Sequence, residues 1–210
     1  MRGLLILLLC LAAPAWATQD QWPALFDVSG VADDDVLNIR SAPDASSDII
    51  GSLGPSDRDI EVISPNDAET WGLVNTGEGT GWVSLRFLTR QPGQWLGALP
   101  QPLFCSGTEP FWSFSYDKEK AAQFSTPDLP EQSGLITGHW PAQNRRDRHA
   151  LVGQVSSVGQ IGPAEIAAML RLGQCSDGMS DRSYGIHIDL LIGDLSDARL
   201  LSGCCSLSGP

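Results

Sequence analysis

Cys105, Cys175, Cys204 and Cys205 frame the second half of this 210-residue chain, and joining them would draw three distant segments together. Adjacent cysteines on an extended strand point to opposite faces. Cys204 and Cys205 therefore need different partners, since a bridge between chain neighbours forces an unfavourable peptide geometry. Four thiols allow three pairings. The adjacent bridge drops out and two remain. The expected set is Cys175 with Cys204 and Cys105 with Cys205, the crossed set staying open. Each bridge adds about 2–4 kcal/mol, a large share of the stability of a small domain. A redox Cys-x-x-Cys is absent, and a zinc site built from Cys175, Cys204, Cys205 and His187 would lack paired-ligand spacing. No metal and no cofactor is expected.

Met1 and Arg2 precede an apolar run from Gly3 to Ala13, which Ala15, Trp16 and Ala17 close. A positive start, a short apolar core and an Ala-x-Ala ending mark a signal peptide over residues 1–17, cut near Ala17. The run is short for a membrane span. A lipid anchor on Cys10 is the alternative, but Leu8 and Leu9 stand where small residues belong. Export to the periplasm or beyond is the expectation, and it suits oxidised thiols. The net charge of −12 repels nucleic acid and anionic headgroups. No nucleic acid and no membrane span is expected.

Helical periodicity is almost absent. Short β-branched or aromatic runs alternate with Gly, Pro, Asn and Asp clusters, the pattern of an all-β chain. Residues 89–101 have no period and are rich in proline, so they read as a linker that Trp95 could pack against a neighbouring surface. Ahead of them, residues 26–88 form a first module. Strands are expected from Val36 or Leu37 to Arg40, then at Ile49 to Leu53, Ile60 to Ile63, Trp71 to Val74 and Gly81 to Val83. Gly77 to Thr80 supplies a hairpin turn that needs positive φ. The run from Leu37 to Pro43, the Gly51 to Leu53 strand, Trp71 with Val74, and Gly81 to Ser84 together resemble the bacterial SH3-like family. The resemblance implies a small barrel that contacts a cell-wall component, peptide or envelope protein, without catalytic residues. Asn38, Arg40 and Trp71 are the candidate ligand-binding residues there. The simpler roles for these three and Trp82 are turn hydrogen bonds and core aromatics. Asp33, Asp34 and Asp35 read as a solvated loop, since adjacent aspartates diverge where calcium needs converging oxygens.

Residues 102–210 form the second module. Trp112, Phe114 and Tyr116 share one strand face, with Ser113 and Ser115 on the other. Ile186, Ile188 and Leu190 form a second such face, with His187 and Asp189 turned away. Residues 193–198 read as a turn and Arg199 to Cys205 as the returning strand. Gly107 to Ser113, Cys175 to Asp181 and Gly203 with Cys204 resemble an uncharacterised bacterial envelope family, which implies a compact β-fold outside the cytoplasm. In that light the ambiguous stretch Pro163 to Arg171 reads as strand. The expected fold is all-β: an N-terminal SH3-like barrel, then a disulfide-stapled β-barrel or β-sandwich-like domain.

Ser176, Ser180, His187 and Asp189 supply the residue types of a hydrolase, but not a nucleophile elbow or a known triad spacing. Asp177 and Asp181 read as turn-holding residues, and Glu109 lacks a facing carboxylate across a cleft. No catalytic residue is expected. Arg145, Arg146 and Arg148 stand out in an acidic chain and are the candidates for an anionic ligand. The function expected is that of an exported cell-envelope binding or structural protein. A cell-wall hydrolase, or an inhibitor of an envelope enzyme, is the alternative.

Overall fold

A computed structural model describes residues 19–156, 163–194 and 196–209. The expected signal segment, its cleavage near Ala17 and Cys10 all lie outside the described residues. The regular elements described are β-strands, apart from one 3-10 turn at Leu85–Phe87.

The N-terminal module is built from two antiparallel sheets. The first joins β1 (Ala24–Val28), β4 (Ile60–Val62) and β8 (Leu88–Arg90) in the order β4-β1-β8. The second joins β2 (Leu37–Arg40), β3 (Ile49–Leu53), β5 (Ser64–Pro65), β6 (Trp71–Thr76) and β7 (Gly79–Ser84) in the order β3-β2-β7-β6-β5. Alternation decides which side chains face inward. Phe26, Val28, Leu37, Ile39, Val62, Val74 and Val83 form a small apolar core. Between β6 and β7, Gly77 takes φ 56°, as a tight hairpin requires. Trp71 and Trp82 differ from expectation: both are half-buried on the outer face of the five-stranded sheet, outside this core.

The C-terminal module is a closed barrel of eight antiparallel strands, so of the two architectures expected the barrel is the one formed. Its strands are β9 (Leu103–Thr108), β10 (Phe111–Tyr116), β11 (Ala121–Thr126), β12 (Leu129–Pro141), β13 (Arg148–Val155), β14 (Ala164–Cys175), β15 (Tyr184–Gly193) and β16 (Arg199–Ser206). Each pairs with the next, and β16 returns to β9. Trp112, Phe114, Phe124, Leu151, Ile166, Ile188 and Leu190 fill the interior. The stretch expected as strand over Pro163 to Arg171 is strand from Ala164 on, within β14, with Ile166, Ala168 and Leu170 pointing in.

Closure depends on a short seam. Only three registered pairs join β16 to β9, against eight between β13 and β14. At that seam Cys105 and Cys205 lie opposite one another and are bridged, both buried in the barrel interior. Cys204 faces the other way and is bridged to Cys175. The two disulfides thus sit on opposite faces of the barrel wall, as alternation along β16 demands. The indole of Trp112 packs over Gly107 and Gly203. A Cβ on Gly107 would meet Trp112 Nε1 at 2.2 Å, and one on Gly203 would meet the Ser106 carbonyl at 2.0 Å.

The two modules share one strand layer. In β1, Ala24, Phe26 and Val28 enter the first core, while Leu25 between them enters the barrel core. Opposite Leu25 stands Glu61 of β4, which accepts a hydrogen bond from the Ser208 hydroxyl at 3.3 Å. Asn75 and Ser183 exchange two bonds across the same boundary, at 2.9 and 3.0 Å. Residues 89–101 fold back rather than hang free. Gln94 bonds both backbone groups of Leu25, at 2.6 and 2.8 Å, and the Leu96 amide donates to Gln19. Trp95, expected to pack this stretch down, is instead 52% exposed.

Candidate functional site

Three residues singled out from the first module meet at one place. In β2, Leu37 and Ile39 point into the core, so Asn38 and Arg40 must point out. Arg40 lies opposite Trp82 on β7, and Trp71 on β6 lies opposite Ser84. A concavity of about 490 Å³ opens beside them, lined by Asn38, Arg40, Trp71, Val31, Asp35 and Phe87 among others. Its far wall comes from the loop at 30–36 that carries the three aspartates.

Arg40 is held in place by its own module. Its Nη1 donates to the Ser47 carbonyl at 2.6 Å. Asp44 nearby is kept below the usual carboxylate range, first by the Ser46 hydroxyl and amide, with Arg40 adding a weaker pull. The cavity therefore offers an aromatic plane at Trp71, a fixed guanidinium, an amide at Asn38 and a carboxylate at Asp35. Such a set has the chemistry to meet a short polar chain carrying both donors and acceptors. Val31, Asp35 and Phe87 were not singled out from sequence. Val31 and Phe87 lie far apart in the chain and carry no local motif, and Asp35 read only as part of a solvated run.

The arginine cluster does not act as a unit. Arg145 is spent on Asp147 through two bonds, at 2.8 and 2.6 Å, and that pairing holds the Asp147 carboxyl down to about 2. Arg146 lies along Gly97, whose added Cβ would sit 3.6 Å from the Arg146 Cβ. Arg148 alone lines a second concavity, of about 660 Å³, together with Trp140, Met169, Arg171, His187 and Asp189.

The hydrolase residue types are dispersed among local duties. His187 Nε2 meets the Gln174 carbonyl at 2.6 Å, and Asp189 accepts from Ser202 Oγ at 2.6 Å. Asp177 holds its own turn, accepting from the Met179 and Ser180 amides and the Ser180 hydroxyl. Tyr184 donates to the same carboxylate at 3.2 Å. Among the described residues, three or more His, Cys, Asp or Glu side chains do not gather as a metal site would require. His139 and His149 form a pair, Nε2 to Nδ1 at 3.0 Å with stacked rings. Burial, reinforced by the neighbouring imidazole, pushes His149 down to about 4. Among the described residues no helix is long and apolar enough to cross a membrane.

Comparison with known proteins addresses the first module alone. Neither a curated protein nor a solved structure matches the chain. Residues 35–89 match the family model described as bacterial SH3 domain. That segment runs from Asp35 into β8 and includes Asn38, Arg40 and Trp71, so the N-terminal module contains a bacterial SH3 domain.

Proposed function

We propose that this chain is an exported cell-envelope binding protein, whose SH3 domain grips a cell-wall component or an envelope protein in the cavity of Asn38, Arg40 and Trp71. The reading rests above all on one observation: these three residues, from two strands distant in sequence, line a single concavity beside Asp35. A guanidinium and a carboxylate lining one concavity suit a ligand with both a carboxylate and an amine, as short wall-type peptides have. Two disulfides support an oxidising compartment. The barrel serves as a rigid body that carries the SH3 domain, and the protein works by contact rather than by turnover.

Co-sedimentation of the full chain with purified peptidoglycan tests this. Binding is expected to weaken roughly tenfold on Trp71→Ala or Arg40→Gln, the loss of one aromatic or charged contact. Retention unchanged in both variants would remove the cavity from the account. Zymography on cell-wall substrate bears on the second half of the proposal. A cleared band that His187→Ala abolishes would make the protein a hydrolase.

A further inference from the structure

The outer face of strands β12 to β16 is organised in rows by strand register. Arg148 lies beside Arg171, which lies beside His187. Two residues along, Trp140, Ala150, Met169, Asp189 and Ser202 form the next row. Two further along come Gly138, Val152, Ala167, Leu191 and Leu200. Polarity thus runs in one direction along the strands, from cationic through mixed to apolar. At about 3.3 Å per residue, four residues separate the first row from the third by about 13 Å.

This surface is apolar where a barrel wall facing water should be polar. Trp140, Met169 and Leu200 are 57%, 52% and 67% exposed, and Val152 and Leu191 stand beside them. A contiguous exposed patch of this kind marks a binding surface. Trp140 is fixed in it, because its ring lies over Gly138, where an added Cβ would sit 2.1 Å from the indole. The groove at its cationic end is the 660 Å³ concavity lined by Arg148, Arg171, Trp140 and Met169. That volume is in the range of small-ligand sites.

The charge is available as well. The ion pairs among the described residues engage Arg58, Arg90 and Arg145, leaving Arg148 and Arg171 without a carboxylate partner there. Asp147 lies near Arg148, but both its oxygens are taken by Arg145. Asp189, the carboxylate inside the groove, already accepts from Ser202. In a chain of net charge −12, two arginines unpaired at the end of an apolar strip select for an anion. The closed barrel offers no strand edge, so an extended peptide cannot add by backbone pairing. An occupant with one anionic end and a linear apolar body fits the gradient.

We infer that this groove is a binding site for a single-chain anionic amphiphile, its carboxylate or phosphate head at Arg148 and Arg171 and its chain lying over Met169 toward Leu191 and Leu200. The site is separate from the SH3 cavity, and its test does not depend on wall binding. Calorimetric titration of the full chain uses four probes: laurate below its micelle concentration, a neutral maltoside with the same tail, inorganic phosphate, and an acidic peptide. Laurate is expected to saturate at one per chain, and the maltoside, phosphate and peptide to bind at least roughly tenfold more weakly. The double variant Arg148→Gln, Arg171→Gln should lose roughly tenfold or more in laurate affinity, and Met169→Glu should lose a similar amount. Arg58→Gln, whose guanidinium lies in the first module and is paired with Asp27, should stay within about twofold of the parent. All these positions are exposed, and the far-ultraviolet spectrum confirms folding. Equal affinity for the neutral maltoside, an unchanged affinity in the double arginine variant, or preference for the acidic peptide would each overturn the assignment.

Discussion

Folding takes the Glu61 carboxyl out of water, with consequences for pH. Burial pushes it up to about 7 from an ordinary 4.5, against the opposing hydrogen bonds of Leu207 and Ser208 and the charge of Arg182. For a group raised on folding, the favourable contribution is complete below about pH 4.5 and is lost as pH climbs towards 7. The loss amounts to about 3 kcal/mol at one pH unit per 1.4 kcal/mol. His149 works the other way. Its proton affinity falls from 6.5 to about 4, so its contribution is complete above about pH 6.5 and is lost as pH falls toward 4. The two slopes oppose each other between these limits. Urea midpoints at pH 5 and pH 8 should therefore differ little in the parent protein. Glu61→Gln should gain stability at pH 8, by as much as about 3 kcal/mol, and weaken on acidification. His149→Gln should show the reverse slope. A Glu61→Gln protein with the parent's profile would show that this carboxyl is not desolvated.

Among the elements, the β9–β16 seam carries the most risk, because three registered pairs close the barrel there. The Cys105–Cys205 bridge spans 100 residues of chain and Cys175–Cys204 spans 29. Loop-closure entropy assigns about 4.7 and about 3.6 kcal/mol to loops of these lengths. Replacing Cys105 and Cys205 together by alanine should raise hydrogen exchange in β9 and β16 first, while β13 and β14 keep their protection. Uniform loss of protection across all eight strands would mean that the seam is no weaker than the rest. Much of this element-level picture was legible in the sequence. Alternation at Trp112, Phe114 and Tyr116 gave inward and outward faces, and the adjacent cysteines required bridges on two sides of one strand. The strand β1 was not legible, because its residues Ala24 to Val28 serve two cores and so lack a period-2 pattern. Nor was the burial of Glu61, which alternates with Ile60 and Val62 as a solvent-facing residue would. Its outer face is covered by a segment 147 residues away. The cavity residues Asn38, Arg40 and Trp71 were found as members of a motif, whereas Val31 and Phe87 join them only through tertiary folding.

On the scale of the whole molecule, the two modules are joined by packing as well as by chain. Leu25 belongs to the barrel core while its neighbours on β1 belong to the first, and residues 89–101 are bonded back onto that strand. Thermal unfolding should accordingly be one cooperative transition. Leu25→Ala should lower it for both modules, at the cost of about 2–5 kcal/mol usual for a buried leucine. Two separated transitions in the parent would show that the shared layer does not couple them. The larger claim is that an exported, oxidised β-body presents binding surfaces. Non-reducing peptide mapping of the protein recovered from an envelope fraction tests it most directly. The account predicts a chain beginning near Thr18 with Cys105 linked to Cys205 and Cys175 to Cys204. A full-length chain found in the cytosol with all four of these thiols reduced would contradict it.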